Sequence, residues 1–280
     1  MRSPPLNSLT QGQQPFTFSQ SSLQDYADCP RRFHLRYLDR LVWPAAEAEP
    51  ISENEARQRA ALMFHRLVQQ AALGLPVEKL TAMATSPDLA RWWRNYAMSG
   101  PDLSGFVLHP EKMLAAPIRD RRLVCKYDLL AIGAGKAVIF DWKTYAKRPS
   151  DEWLAARWQT RVYRAMLVKA GAELNSGGPF DPADVSMVYW YAEHPSEPAR
   201  FPYDEHQFKR DWAAIETHVA EIAQAHEFPL MEDPRRCRFC TYRSLCDRGA
   251  GAGPWREAEA DDTQDANLEL DSEQIGEIGS

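Results

Sequence analysis

Residues 123–144 read LVCKYDLLAIGAGKAVIFDWKT. Two apolar runs flank GAGK, a pattern that predicts an antiparallel hairpin. With residues 133–136 as the loop, Ile132 faces Ala137, and counting back sets Asp128 opposite Asp141. Cross-strand partners have Cβ atoms roughly 4.5–5.5 Å apart. Asp141 and Lys143 are two apart and share a face. One face of the hairpin end then carries two carboxylates and an ammonium. Like charges placed opposite each other are destabilising. A divalent cation between them reverses the sign, and close, hard oxygen ligands suit Mg²⁺ or Mn²⁺. Lys143 is placed to orient or help deprotonate a water and to stabilise charge on an attacked phosphate, the parts that metal-assisted phosphodiester hydrolysis needs. D-x-K alone is a weak pattern, written equally well by two solvated aspartates and a lysine at a strand end. Its context is more specific: Asp141 closes the apolar run 137–140, where a charge is costly unless solvated or employed.

Outward from the hairpin, further strands are expected over 106–108, 112–118 and 185–192, with 123–132 and 136–144 as the hairpin arms. Residues 19–28 read as a short helix that Ser19, Ser21 or Ser22 can cap. Pro30 suits the first turn of a second helix over 31–39. Residues 43–52 are rich in Pro, Ala and Glu and read as a loop, and 53–73 has helical apolar spacing ended by Gly74. Helices are also expected over 86–98, bearing Trp92 and Trp93, over 152–169, and over 204–228 with Phe208, Trp212, Ile215, Val219 and Ile222 on one stripe. Helices, then a central sheet, then helices define an α/β domain with a helical insertion near the N-terminus. The expected organisation is a flexible arm (1–18), one domain (19–253) and an acidic, disordered tail (254–280).

Composition bounds the partners. The 280-residue chain is 44% hydrophobic, enough for a sizeable core, and has no run of 18 apolar residues, so no transmembrane helix is expected. The first residues lack the apolar segment of a signal peptide, and a cytoplasmic location is the default. The net charge of −6 is unevenly placed. Residues 254–280 hold nine acids and one base, so they carry −8; the remaining 32 bases and 30 acids leave the body at +2. A polyanionic partner would then be met by locally clustered bases rather than a basic total.

Five cysteines are present: Cys29, Cys125, Cys237, Cys240 and Cys246. In a cytosolic chain, clustered cysteines point to metal or redox chemistry rather than disulfides. C-x₂-C-x₅-C at 237–246 brings three thiols within reach of one metal, and a fourth ligand closes the shell. Cys29, just before Pro30, is the natural choice, whereas Cys125 lies inside an expected strand as a core thiol. Four cysteines suit a [4Fe–4S] cluster or a structural zinc, and the spacing does not decide between them.

The pieces SQSSLQDYADCPRRFHLRYL (19–38), FHRLV (64–68), HPEKMLAAPI (109–118), KYDLLAI (126–132), VIFDWKT (138–144) and QTRVYRAML (159–167) resemble, in order, the motifs of the PD-(D/E)XK nuclease superfamily in its RecB-like branch. The resemblance implies a restriction-endonuclease-like core, a central mixed sheet flanked by helices. It implies a Mg²⁺- or Mn²⁺-dependent deoxyribonuclease, an exonuclease of recombination, repair or CRISPR adaptation. Asp128 and Asp141 would be metal ligands with His65 near the same ion, and Lys143 the catalytic lysine. Gln159 and Tyr163 match the Q-x-x-x-Y helix motif, whose i, i+4 spacing puts both on one face. Glu111 is a looser match to the family's further carboxylate. Taken without the family, His65, among apolar residues, reads as a satisfied core histidine, and Tyr163 as a core residue. Cys29 in its C-P-R-x-F context with the C-terminal triplet is similar to the iron–sulfur nucleases, among them the AddB nuclease domain and the CRISPR adaptation nucleases. That likeness favours a [4Fe–4S] cluster over zinc, stapling the chain's two ends across the core. The implied partners are DNA and a helicase or CRISPR adaptation protein, with no membrane. No G-x-x-x-x-G-K-[ST] motif is present, so a strand-separating motor would have to be a partner. A catalytically silent DNA-binding or assembly subunit is the alternative reading.

Overall fold

A computed structural model describes residues 16–42 and 51–249. The expected acidic tail, residues 1–15 of the expected arm and residues 43–50 of the expected loop lie outside the described residues. The last residues of the expected arm belong to the folded domain. Thr17–Ser19 forms strand β1, and Phe18 is fully buried in the core.

Helix α1 (Gln20–Asp28) starts where the serine cluster placed it. Ser19 and Ser22 cap each other reciprocally: the Ser22 N–H donates to Ser19 Oγ and the Ser19 N–H to Ser22 Oγ. Pro30 opens α2 (Pro30–Phe33), which runs into a π-helical turn, His34–Leu38. Helices α3 (Ile51–Ala72) and α5 (Pro87–Ser99) form the insertion. Between them lies α4 (Val77–Met83), a helix the apolar spacing did not announce; only Leu80 of its residues is buried.

The sheet differs from expectation in an instructive way. Residues 123–132 were expected as one strand, yet β4 (Arg121–Lys126) and β5 (Leu129–Gly133) are separate and belong to different sheets. β2 (Val107–Pro110) and β3 (Met113–Ile118) divide at the same level. The two breaks are stitched together, because the Glu111 N–H donates to Asp128 O (3.1 Å) and the Tyr127 N–H to Lys112 O (2.9 Å). Glu111 has φ +56°, a left-handed value uncommon for a side-chain-bearing residue, and there the ribbon folds over. One sheet has the order β1-β4-β3; the other is β2-β5-β6-β7-β8, with β6 Lys136–Lys143, β7 Val185–Tyr191 and the unexpected β8 Ala199–Pro202.

The β5–β6 hairpin keeps the expected register, Ile132 facing Ala137, and adds the pair Gly133 with Lys136. The turn is therefore the two residues Ala134 and Gly135, with φ +50° and +77°, both positive as the tightest hairpin turns require. β6 and β7 run parallel, so both faces of this part of the sheet are covered. Ala137, Ile139, Met187 and Tyr189 pack into the core on the side of α7 (Trp158–Ala170). Phe140, Trp142, Val188 and Trp190 pack with Phe64, Leu67 and Trp92 of α3 and α5 on the other.

The helix expected over 152–169 breaks at Arg157 into α6 (Asp151–Ala156) and α7. Arg157 is extended (φ −68°, ψ 144°), and Gln24 Oε1 of α1 accepts the freed Trp158 N–H (3.1 Å). The last long helix, α8 (Glu205–Gln224), ends short of the expected Phe228. It braces α7 through buried Asp211, which holds Arg161 Nε (3.0 Å), Arg164 Nη2 (3.5 Å) and the Tyr203 hydroxyl (3.2 Å). Asp211→Ala leaves two guanidiniums without their carboxylate at a packed helix interface. The expected loss is about 3 kcal/mol, the scale for breaking a buried pair, read by urea unfolding followed by circular dichroism.

Candidate active site

Three side chains of the quoted hairpin and one of α7 meet at the carboxyl end of β6. Asp141 and Lys143 point to the same side of the strand, toward α7, and both are buried. Lys143 Nζ lies 2.9 Å from Asp141 Oδ2 and donates to Gln159 Oε1 (3.2 Å), while Gln159 Nε2 donates to Asp141 Oδ1 (2.7 Å). The three groups close a triangle. Its charges also settle the orientation of the Gln159 amide: the carboxylate needs a donor and the ammonium an acceptor, so only one orientation satisfies both.

Asp128 stands one residue beyond the last hairpin pair, Leu129 with Phe140. Its Oδ2 accepts the Trp142 N–H (2.9 Å) and lies 3.3 Å from His65 Nδ1 of α3. Burial alone would raise the Asp128 carboxyl. The charge and hydrogen bond of His65, the Trp142 N–H and the Lys143 ammonium outweigh it and hold the group below its ordinary range. Burial likewise disfavours a charged His65, but Asp128 and Asp141 pull its pKa up on balance. Helices α3 and α7 thus deliver His65 and Gln159 to one strand end from opposite faces of the sheet.

Tyr163 is buried one turn along α7 from Gln159, its ring 4.9 Å from that of Tyr127, whose hydroxyl donates to Tyr163 O (2.9 Å). Burial, followed by the charges of Asp141 and Asp128, pushes its phenol well above the ordinary value. Tyr163 is thus close enough to both carboxylates to feel their charge, and its side chain hydrogen-bonds with Gln159. Glu111 touches Asp128 through its backbone, but its carboxylate is engaged by Lys126.

Several neighbours were not singled out from the sequence. The parallel register sets Tyr189 beside Asp141 and Tyr191 beside Lys143. The rings of Tyr189 and Tyr145 each lie 5.5 Å from Lys143 Nζ. The alternation in VSMVYWY was the available signal, since residues two apart on a strand share a face. From α3, Arg57 donates to Thr144 O (2.6 Å), directly after Lys143, and to Glu193 Oε1 (3.0 Å). Arg91 of α5 also grips Glu193 (2.8 and 3.1 Å), and Arg57 lies 4.8 Å over the Trp92 ring. These contacts latch the helical insertion onto the end of the sheet that carries the site. The hydrogen bonds from Arg57 and Arg91 to Thr144 and Glu193 span 87 to 136 residues of sequence, which is why no local pattern revealed them.

The cysteine-bearing segment lies against the chain's other end. Cys29 precedes α2, whose Arg31 N–H donates to Pro229 O (3.2 Å), and the Tyr242 hydroxyl donates to Leu41 O (3.0 Å). Cys237, Cys240 and Cys246 are each raised by burial and further raised by Cys29, with Cys240 pushed up to about 11. Cys125 is raised by burial to about 12 within the core beside Tyr127, apart from the other four. Among the described residues no group of three or more His, Cys, Asp and Glu side chains stands in metal-holding geometry. The acidic groups of the site are balanced instead within the protein, Asp141 by Lys143 and Asp128 by His65.

A mixed sheet flanked by helices, with two carboxylates and a lysine at the end of its central hairpin, defines the restriction-endonuclease-like class. Residues 17–247 match the family described as the PD-(D/E)XK nuclease superfamily. The chain belongs to that superfamily, whose members are nucleases. None of the curated proteins matches the chain. Among solved structures it is similar to SSO0001, at 13% identity and a TM-score of 0.40, covering 86% of this chain and 90% of that one. It is also similar to a candidate exonuclease from Eubacterium rectale, at 12% identity and a TM-score of 0.46, covering 77% and 84%. No helix among the described residues is long and apolar enough to cross a membrane.

Glu193 gives this latch a pH signature. Burial would raise its carboxyl, but hydrogen bonds from Arg91, Trp92 and Arg57 hold it below the ordinary 4.5. A depressed pKa contributes stability that is complete above the unfolded value and is lost as pH falls through the folded one. Glu193→Gln should therefore melt at a lower temperature than the parent at neutral pH. The gap should shrink as pH falls below 4.5, as read by scanning calorimetry across an acid series.

Proposed function

We propose that this chain is a metal-dependent nuclease that hydrolyses DNA phosphodiester bonds at the Asp128–Asp141–Lys143 site. The observation that carries the reading is a buried carboxylate–ammonium–amide triangle beside a second carboxylate paired with a histidine. The Asp128 and Asp141 carboxylates are hard oxygen donors of the kind that suits Mg²⁺ or Mn²⁺, and with the softer imidazole of His65 they would hold it once drawn together from their present partners. When bound, such an ion neutralises phosphate charge and favours a nucleophilic water at neutral pH.

The remaining chemistry belongs to the chain. Lys143 Nζ is held in place by Asp141 and by the carbonyl of Gln159. Its buried position keeps its charge strong toward a phosphate oxygen in the site. Gln159 restrains both partners, so little reorganisation is needed when substrate arrives. The Trp142 N–H orients Asp128, and the Arg57–Thr144 contact fixes the backbone just after Lys143.

The reading extends to the cysteines: Cys29, Cys237, Cys240 and Cys246 would hold a [4Fe–4S] cluster. Support comes from their mutual electrostatic proximity across a separation of about 208 residues, and from the exclusion of Cys125 to the core. Closing so long a loop contributes stability in principle. DNA is the proposed substrate, approached at ends or single strands, with any strand-separating motor supplied by a partner.

Anaerobically purified protein should show cluster absorption and iron content, and degrade end-labelled DNA with Mn²⁺ or Mg²⁺ but not with chelator. Asp141→Ala should abolish cutting while the circular dichroism spectrum stays native. Lys143→Met should lower kcat by about 10²–10³, the scale for losing one transition-state charge stabiliser. Cys246→Ser should lose iron and melt earlier; zinc in place of iron would overturn the cluster assignment. If no DNA form is cut while binding persists unchanged in Asp141→Ala, the chain is a DNA-binding subunit instead.

A further inference from the structure

The site contains a residue that the hairpin and the Q-x-x-x-Y helix do not account for. Tyr189 sits on β7 in parallel register with Asp141, and its side chain is 1% exposed. Its hydroxyl donates to Gln159 Oε1 (3.3 Å) and shares a hydrogen bond with Thr160 Oγ1 (2.8 Å), while its ring lies 5.5 Å from Lys143 Nζ. Gln159 Oε1 is the atom that also receives the Lys143 ammonium. One carbonyl oxygen therefore takes two donors, one from the catalytic strand and one from its neighbour.

The contacts continue away from the site. Thr160 Oγ1 reaches Leu154 O (2.6 Å), across the α6–α7 break, and Thr160 O accepts from Arg164 Nε (2.9 Å), which Asp211 of α8 holds in turn. Two hydroxyl protons, on Tyr189 and Thr160, serve three contacts: Gln159, Leu154 and the one between them. The Tyr189 ring meanwhile walls one side of the lysine with a π-face, a favourable setting for a cation. Tyr145 supplies a second such face, and Tyr191 stands in register with Lys143.

We propose that Tyr189 is a positioning residue for the nuclease reaction: its hydroxyl fixes the Gln159 amide, and its ring and that amide together aim the Lys143 ammonium. The proposal rests on the reading of Lys143 as the charge that stabilises the attacked phosphate. It differs from a packing role in what it predicts. A packing tyrosine contributes to folding whatever Gln159 does, whereas a positioning tyrosine acts through Gln159 and has no effect once that side chain is gone.

Tyr189→Phe keeps the ring and removes the hydroxyl. The expected result is a kcat lowered about five- to tenfold, the scale of one lost hydrogen bond, with KM for DNA unchanged. In the Gln159→Ala background the same substitution should lower kcat by less than ~2-fold, because residues acting as one unit are not additive. Multiplicative losses in the double variant, or an unchanged kcat in Tyr189→Phe, would overturn the proposal. Crystal structures of the parent and Tyr189→Phe give a readout independent of turnover. Gln159 rotated away from Lys143 in the variant supports positioning, and an unmoved Gln159 refutes it. A parent that cuts no DNA would sink the nuclease assignment alone, with the crystal structures still deciding the role of Tyr189.

Discussion

Burying an ammonium and a carboxylate in the middle layer of a sheet is unfavourable unless each is compensated, and the compensation available here organises the surrounding structure. Lys143 and Asp141 lie at the end of a strand covered on both faces, among tyrosines and tryptophans. Removing two ions from water costs several kcal/mol each, and mutual attraction offsets that only with further hydrogen bonds in good geometry. Gln159 supplies them to both ions at once. A helix must then arrive at that strand end with a glutamine aimed inward. The break at Arg157, the cap from Gln24 and the Asp211 brace each constrain how α7 arrives. Replacing the ions with apolar residues would be at least neutral for stability in many folds.

The second carboxylate reaches the site by a different route. Asp128 does not extend the hairpin ladder; it occupies a fold in the ribbon where one sheet passes into another. Glu111 occupies the matching fold on the adjoining strand, with a left-handed backbone. The crease turns the chain so that Asp128 meets the Trp142 N–H and the imidazole from α3. It also turns the Glu111 side chain toward Lys126. One backbone feature thus brings one acid to the site and gives the other a surface partner. The helical insertion is held against the same strand end by Arg57, Arg91 and Glu193, so His65 depends on contacts made well away from it.

Much of this was legible in the residues because it is local. The hairpin register followed from two apolar runs around GAGK, since a strand alternates its faces every residue and a one-residue slip would invert them all. The shared side of Asp141 and Lys143 follows from the same alternation. The α1 cap followed from a serine cluster, and the end of α3 from Gly74, whose φ of +88° suits glycine. The breaks at 127–128 and at 157 were not legible. Residues 123–132 and 152–169 each carry an uninterrupted local pattern, and the interruptions come from hydrogen bonds to Lys112, Glu111 and Gln24 elsewhere in the chain. Helix α4 escaped notice because only one of its side chains is buried.

The sequence by itself determined the chemistry on offer: two aspartates and a lysine in one short stretch, a glutamine and tyrosine four apart on a helix, and a family of nucleases that combines them. Tertiary structure decided how those groups engage one another. It joined Gln159 to both ions, buried Tyr163 near the carboxylates, turned Glu111 toward Lys126 and brought Tyr189 alongside the triangle. The physical reason is range. Alternation and helical period act over a few residues, whereas a buried charge is satisfied by whichever donor the packed chain carries to within about 3 Å, however distant in sequence.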